Sequence, residues 1–264
     1  MGPTKIDPLS VVPLFLKVVF RDSVLSTASG FSYRHEDRLY LITAWHVASG
    51  RRPETGQAIN LHTGAVPDCL KVFFHVEGKL GQWCLVDVPI ADSDGQPIWY
   101  QHPTLGQRVD VAAIPLFCPS GPMTYPINNA ELTNDMPVSI GRDLFVLGYP
   151  LGIRAGGVMP IWKRASIASE PQLNLDGLPL FLVDTATYSG MSGAPVIARQ
   201  WGQYETADGS MHFAPGSTVT NFMGVYSGRA IGPNADVSQL GYVWKANVLD
   251  QIIGGRTIGA PQVL

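Results

Sequence analysis

The chain has 264 residues, of which 45% are hydrophobic and 15% charged, and its formal net charge is −3 at pH 7. This length suffices to bury a sizeable core in one or two domains. The small negative charge gives no electrostatic reason to expect a nucleic-acid partner. No apolar run approaches the roughly 20 residues of a membrane-spanning helix. With 28 glycines and 21 prolines, the composition favours short elements joined by turns over long helices.

The cysteines, Cys69, Cys84 and Cys118, are odd in number and lack the spacing of a metal site. A disulfide framework is therefore not expected, and we interpret them as small buried hydrophobes in a reducing compartment. The acidic stretch DSDG at 92–95 lacks the later bidentate glutamate of a calcium loop, and we interpret it as a turn. The sequence predicts neither a metal nor a cofactor.

The first predicted element is the apolar run VVPLFLKVVF at 11–20. Pro13 and Lys17 interrupt it, whereas the centre of a signal peptide is unbroken, so the run favours a β-strand over a signal peptide. Without a convincing signal peptide or a disulfide framework, the predicted localisation is cytoplasmic.

Short apolar or alternating runs follow along the whole chain, separated by glycine- and proline-rich pieces. In the first half, HED at 35–37 is a predicted turn between two strands, and further strands are predicted at 69–76, 82–90 and 109–117. The second half continues with DLFVLGYPL, MPIWKRASIAS, LFLVDTATYS, APVIARQW, TNFMGVYSG and GYVWKA. Many short strands with frequent turns predict an all-β sandwich or barrel.

Only the C-terminal piece NVLDQIIGG has a helical pattern. Asn247 is predicted to cap this helix, and Gly254 and Gly255 are predicted to end it.

A polar, proline-rich stretch at 118–137 lies near the midpoint of the chain. We interpret it as the connection between two β units of similar size. The predicted units are residues 1–120 and residues 121–264.

Ser192 lies in SGMSGAPVI, with Gly190 and Gly193 close on either side. A serine hydroxyl is a weak nucleophile, which needs a nearby base and donors for the oxyanion formed on the substrate. Nearby glycines permit unusual backbone angles and let N–H groups approach a ligand without a Cβ in the way. The amides of Gly190 and Ser192 are therefore candidates for one oxyanion site, although an ordinary tight turn before a strand also explains the pentapeptide.

Two further residues are candidates for the same site. His46 ends the apolar run LYLITAWH and is predicted at a strand end; as one of six histidines it gains its value from the combination. Asp110 stands directly before the apolar run VAAIPL. A buried carboxylate is costly unless it is paired, and beside an imidazole it would fix the tautomer and stabilise the charged ring. Considered alone, Asp110 is better explained as an aspartate in a turn that enters a strand.

The chain order His46, Asp110, Ser192 discriminates between the known serine triads. The chymotrypsin type runs His, Asp, Ser, whereas α/β-hydrolases run Ser, acid, His, and subtilisin runs Asp, His, Ser. The all-β pattern also excludes the alternating scaffold that the two other types need.

On these residues the chain resembles the trypsin-like (chymotrypsin-fold) serine peptidases, especially the minimal bacterial members. TAWH matches the histidine motif T-A-x-H, DVAAIPL matches the aspartate motif, and SGMSGAPVI matches the nucleophile motif G-x-S-G-[GSA]-P. The likeness extends over residues 11–253. It implies two packed six-stranded β-barrels with a short C-terminal helix, and a cleft in which the first barrel supplies His46 and Asp110 and the second supplies Ser192 and the oxyanion hole.

The resemblance also implies an activity, a serine endopeptidase that acts on a protein or peptide substrate without a metal or cofactor. It places the substrate-binding pocket at Ala186, Thr187, Ser227, Gly228, Arg229 and Gly241. Because Ala186 lacks a carboxylate, we expect a small or medium uncharged side chain at the cleavage site rather than Lys or Arg. Thr187 and Arg229 leave an acidic preference open.

Two residues depart from the family pattern. Trp45 replaces a small residue before the histidine, so the packing there must differ. Met191 replaces the aspartate that receives a new N-terminal amine in zymogen activation, so activation by that route is not expected.

The alternative reading is a catalytically latent protein or pseudoprotease scaffold that binds peptides or is switched on by a partner. The complete triad argues against the scaffold. A regulatory protein partner would find candidate control segments at 50–68, 91–108 and 199–219, although such segments are more often tolerated surface insertions.

Overall fold

The computed structural model describes residues 6–61, 64–117, 122–130, 132, 136–186, 188–206, 208–229 and 239–259. Within these residues the chain is dominated by antiparallel strands, with two α-helices and three short 3-10 helices. The predicted all-β architecture of two β units and a short C-terminal helix is confirmed. No helix in the described residues is long and apolar enough to span a membrane.

The first β unit is a nine-stranded sheet, in which six strands are long, the number that was predicted, and three further strands have only two residues each. Its first eight strands are β1 (Pro13–Phe20), β2 (Ser23–His35), β3 (Arg38–Thr43), β4 (Cys69–Val76), β5 (Lys79–Pro89), β6 (Tyr100–Gln101), β7 (Ala112–Leu116) and β8 (Pro122–Met123). They pair in the order β6-β7-β3-β2-β1-β4-β5, with β8 on β4. The predicted turn at HED connects β2 and β3, and a short helix, α1 (Trp45–Ser49), follows β3.

The second β unit is a closed barrel. Its strands are β9 (Asp143–Gly148), β10 (Ile161–Ile167), β11 (Leu180–Asp184), β12 (Ala194–Glu205), β13 (Met211–Arg229) and β14 (Leu240–Lys245), paired in the order β10-β11-β14-β13-β12-β9. The candidate control segment at 199–219 is largely regular structure, because the ladder between β12 and β13 continues from Arg199 opposite Thr220 to Glu205 opposite Met211.

Each terminal segment of the described chain packs against the unit formed by the opposite half of the sequence. The C-terminal helix α2 (Val248–Gly255) leads into β15 (Thr257–Ile258), which pairs with β6 of the first sheet. At the other end, the 3-10 helix Pro8–Val11 lies against the barrel, where Trp162 donates a hydrogen bond to Ser10 (3.0 Å). The predicted boundary between residues 120 and 121 stays a prediction, and each unit includes a terminal segment from the other side of it.

The ends of α2 differ from the prediction. The side chain of Asn247 makes no capping hydrogen bond, and the helix continues through Gly254 and Gly255 to a left-handed Arg256 (φ 47°). Gly255 has a packing reason, since a Cβ there would lie 2.9 Å from Pro103. Gly255 therefore lets the helix approach the first unit, and neither glycine ends the helix.

The three largest groups of buried side chains hold the fold together. One fills the first sheet and includes Leu16, Leu41, Trp45, Val72 and Phe74. A second fills the barrel and includes Val146, Phe181, Val183, Val196 and Tyr226. The third lies between the units and α2 and includes Phe31, Leu147, Ile197, Trp244 and Leu249. Because the third group contains residues of both units, packed apolar side chains join the two units below the cleft.

Candidate active site

The sequence predicts His46 at the end of a strand, but the residue occupies the first turn of α1. The strand β3 ends at Thr43, and the helical turn runs from Trp45 to Gly50, whose left-handed backbone (φ 65°) ends it. The ring of Trp45 anchors this turn, because it is fully buried and its Nε1 donates to Gln101 (2.9 Å). The large residue before the histidine is therefore accommodated in the core of the first unit.

His46 and Asp110 are in direct contact. Nδ1 of His46 lies 2.8 Å from Oδ2 and 3.1 Å from Oδ1 of Asp110, and the backbone amide of His46 donates to Oδ1 at 2.9 Å. Asp110 is buried (8% exposed) and lies two residues before β7. Since an ionised carboxylate only accepts, Nδ1 carries the proton of the neutral ring, and Nε2 is left as the acceptor.

Opposing effects act on the pKa of His46. Burial lowers it, but the negative charge of Asp110, its hydrogen bond and the charge of Glu54 raise it, and the pKa lies above its usual 6.5. The site therefore stabilises the imidazolium, the form that a base acquires when it takes a proton.

Ser192 lies at the boundary between the two units. It lines a cavity of about 310 Å³ together with His46 and Gly190. Its hydroxyl donates to the carbonyl of Ser227 at 2.9 Å, and the described residues contain no hydrogen bond between Ser192 and His46. The fold thus brings His46 and Asp110 into contact and places Ser192 at the same cavity with its hydroxyl turned to β13.

The two glycines beside Ser192 are required by close backbone approaches. Gly190 (φ 95°) has Tyr149 O only 2.3 Å from the place of a Cβ. Gly193 (φ 85°) has Ser29 O at 2.2 Å from that place. Both are left-handed conformations that glycine adopts at no steric cost. In the described part of the chain, the amides of Gly190 and Ser192 donate to no protein acceptor.

The residues predicted to bind substrate lie around the end of β13. Gly228 and Arg229 are its last two residues and pair with Tyr242 and Gly241 of β14. On the other edge, the ladder with β12 begins only at Tyr226, so no strand among the described residues pairs with the edge from Ser227 to Arg229 on that side.

The other predicted members differ in accessibility. Ser227 is buried, and its hydroxyl accepts a hydrogen bond from Trp244 (3.0 Å). Ala186 is exposed just after β11, and Thr187 lies outside the described residues. The sequence reading missed Tyr226, whose ring lies over Gly241: a Cβ on Gly241 would be 2.5 Å from Cε2 of the ring. An aromatic residue directly before Ser227 was the available signal.

A second cavity, of about 540 Å³, is lined by Asp110 and Ser227. Its charged lining includes Glu54, Arg108 and Asp176. Glu54 thus lines this cavity, and its negative charge also raises the pKa of His46. Sequence reasoning gave no signal for Glu54, which lies in the exposed stretch after α1.

No group of three or more His, Cys, Asp or Glu side chains in the described residues is placed to hold a metal ion. The DSDG stretch forms a turn, in which Oδ1 of Asp92 accepts from the amides of Asp94 (2.9 Å) and Gln96 (2.8 Å). Cys69 and Cys84 are free thiols, and Cys118 lies outside the described residues.

A family model described as a trypsin-like peptidase domain matches residues 28–203, which is more than half of the chain and includes parts of both of its β units. The chain belongs to the trypsin-like peptidase family. The predicted class, a trypsin-like serine peptidase among the hydrolases, is confirmed by this match, and members of the family act on proteins or peptides.

Solved structures similar to this chain are remote in sequence. A serine endoprotease from Yersinia pestis has 12% identity and a TM-score of 0.49, and the match covers 95% of this chain but only 66%, just under two thirds, of that one. The active form of the Rv3671c protease from M. tuberculosis has 18% identity and a TM-score of 0.47, with 96% and 83% covered. The MamO protease domain from Magnetospirillum magneticum has 15% identity and a TM-score of 0.46, with 92% and 95% covered. A comparison with curated protein sequences finds no match.

Proposed function

We propose that this trypsin-like peptidase is a serine endopeptidase that cleaves peptide bonds through an acyl-enzyme, with Ser192 as nucleophile, His46 as general base and Asp110 as the group that orients it. The observation that carries the proposal is the 2.8 Å contact between His46 Nδ1 and Asp110 at the cavity that Ser192 also lines. A ring held this way presents a basic Nε2 and gains stability when it becomes charged.

In the proposed reaction, the Ser192 hydroxyl leaves the carbonyl of Ser227 and turns towards His46. Nε2 takes the proton while Oγ attacks the peptide carbonyl, and the protonated ring then gives the proton to the departing amine. Water repeats the sequence to release the acid. The amides of Gly190 and Ser192 hold the oxyanion, and the loss of one such donor costs about 3 kcal/mol in other enzymes.

The edge of β13 beyond its ladder with β12 supports an extended substrate. A peptide that adds to the edge from Ser227 to Arg229 gains backbone hydrogen bonds without regard to its sequence. Its own side chains then set the preference through the pockets that they enter.

We further propose that the residue at the cleavage site has a small, uncharged side chain. The resemblance places Gly241 on one wall of its pocket, and the ring of Tyr226 covers that glycine. Tyr226 is almost fully buried (1% exposed), so its ring occupies volume that a large substrate side chain would need. A peptide library should give cleavage after Ala, Gly or Ser in preference to Phe, Lys or Arg. A preference for large or basic residues would overturn this assignment.

The test of the enzyme is labelling with a fluorophosphonate, which reacts with an activated serine. Wild type should be labelled, Ser192→Ala should not, and His46→Ala should react slower by on the order of 10³-fold or more. His35→Ala, at a half-buried histidine that contacts Asp250 instead, is the matched control and should react as wild type does. A wild type that neither labels nor cleaves any library peptide would contradict the proposal.

The second candidate is a latent form that a regulatory partner switches on. The two candidates differ in what turns the hydroxyl of Ser192 from Ser227 towards His46: substrate alone in the first, a partner in the second. If the partner is required, labelling should appear only after a second protein is added; rapid labelling of the isolated chain would exclude that requirement. The predicted cytoplasmic localisation and the absence of nucleic-acid and membrane partners stay predictions.

A further inference from the structure

The carbonyl groups of the loop around Ser192 are all held by hydrogen bonds. The carbonyl of Ser189 accepts from the amide of Leu151 (2.6 Å), and that of Met191 accepts from the amide of Ala194 (3.0 Å). The remaining two are held by one residue of the first unit, Ser29. Its hydroxyl donates to Gly190 O (2.7 Å) and its amide donates to Ser192 O (2.9 Å).

This arrangement matters because a peptide unit is planar. When a carbonyl is fixed, the N–H of the following residue is fixed in the opposite direction. The bonds to Ser189 and Met191 therefore aim the amides of Gly190 and Ser192, while Ser29 fixes the planes that lie between and after them. A loop with glycine at 190 and 193 has little steric resistance to a peptide flip, so its shape depends on such bonds.

Ser29 is itself held in place. It is fully buried in β2, its Oγ accepts from the amide of Tyr149 (3.1 Å), and its carbonyl accepts from Thr43 Oγ1 (2.8 Å). Because Oγ accepts from Tyr149, its single proton points to Gly190. Two glycines make room for Ser29: a Cβ on Gly148 would lie 2.7 Å from its Oγ, and one on Gly193 would lie 2.2 Å from its carbonyl.

We propose that Ser29 is a positioning residue for the oxyanion site: from the first unit, its hydroxyl holds the glycine loop of the second so that the Gly190 and Ser192 amides face the reacting carbonyl. The inference rests on the proposed function. It adds a side chain that touches no substrate and acts through the loop.

The test compares Ser29→Ala with Ser32→Ala. Ser32 is a matched control, since it is equally buried on the same strand and its hydroxyl has no partner in the described residues. With Ser29→Ala we expect kcat to fall at least about tenfold with little change in KM, because only the state that carries the oxyanion is affected. Binding of a peptide aldehyde, which forms that oxyanion, should weaken by the same factor. Ser32→Ala should match wild type in both measurements.

Several outcomes separate this inference from the proposed function. If wild type and Ser32→Ala are active and Ser29→Ala equals them in kcat and aldehyde affinity, the inference is overturned and the function stands. If wild type itself shows neither turnover nor fluorophosphonate labelling, the function falls and the inference falls with it. Should Ser29→Ala not fold, Ser29→Cys carries the test, because a thiol is a weaker donor; an intermediate kcat at unchanged KM supports the role, and a wild-type kcat overturns it.

Discussion

The two halves of the cleft are built by different means. The half with His46 and Asp110 belongs to the first unit and consists of side chains whose charge and protonation determine what they can do. The half with Ser192 is a stretch of backbone in the second unit, in which glycines permit the path and carbonyl bonds fix it. The first half should therefore respond to changes of charge and pH, and the second to changes of shape.

The largest expected effect tests the side-chain half through Asp110→Asn. The amide oxygen of Asn can still accept from the backbone of His46, so the local fold should survive. Its NH₂ group, however, would donate to Nδ1. The ring proton would then lie on Nε2, so Nε2 could no longer accept the proton of Ser192. We expect kcat to fall by on the order of 10⁴, the loss that this change causes in a chymotrypsin-type triad, with little change in thermal midpoint. A loss of less than about tenfold would show that His46 does not depend on this carboxylate.

The backbone half is tested by Gly193→Ala, which changes neither charge nor hydrogen-bonding groups. The new Cβ would meet Ser29 O at 2.2 Å in a left-handed conformation (φ 85°), so strain and clash combine. The control is Gly78→Ala, also left-handed (φ 69°) but with open space around the Cβ, where strain alone costs about 1–2 kcal/mol.

Gly193→Ala should lose about 2 kcal/mol more unfolding free energy than Gly78→Ala in urea titrations, and its fluorophosphonate labelling should slow while that of Gly78→Ala does not. Equal stability and equal labelling of the two variants would mean that the loop is not constrained by Ser29 and that the proposed difference between the halves is wrong.

The same difference between the two halves explains which features of the site could be predicted from the sequence. His46 and Asp110 lie in motifs that are recognisable from residue types and order, so the sequence predicts both as members of one site, and the structure brings them into contact. The helical turn that carries His46 was not, because an apolar run such as LYLITAWH does not show where a strand gives way to one turn of helix. The all-β architecture followed from many short strands, each of which leaves a local pattern.

A second histidine shows what local patterns leave undecided. His75 also lies in an apolar strand, yet it is buried with Nε2 3.1 Å from Val11 O and its Nδ1 has no partner in the described residues. Burial lowers its pKa and the bond to Val11 only partly offsets this, whereas the pKa of His46 is raised. The difference is the carboxylate of Asp110, which reaches His46 across 64 positions of sequence.

The contacts of the backbone half are still harder to predict from the sequence. Ser29 appears in an ordinary TASG stretch, and its contact with Gly190 joins residues 161 positions apart. The ring of Tyr226 over Gly241 likewise depends on how β13 and β14 pair. Such contacts are properties of the packed units, and a local sequence pattern does not predict them.

The smallest expected effect sharpens the electrostatic side of the comparison through Glu54→Gln. The charge of Glu54 raises the pKa of His46, so its removal should lower that pKa. Since the protonated ring cannot act as a base, the acidic limb of kcat/KM should move to lower pH, and activity should persist further into acid. Glu54 is exposed, so solvent screens its charge, and the shift should shrink further as salt is added. Glu77→Gln, at an exposed turn between β4 and β5, is the control that should leave the limb in place. If the acidic limb stays at the same pH at low salt, or moves to higher pH, then the charge of Glu54 does not raise the pKa of His46.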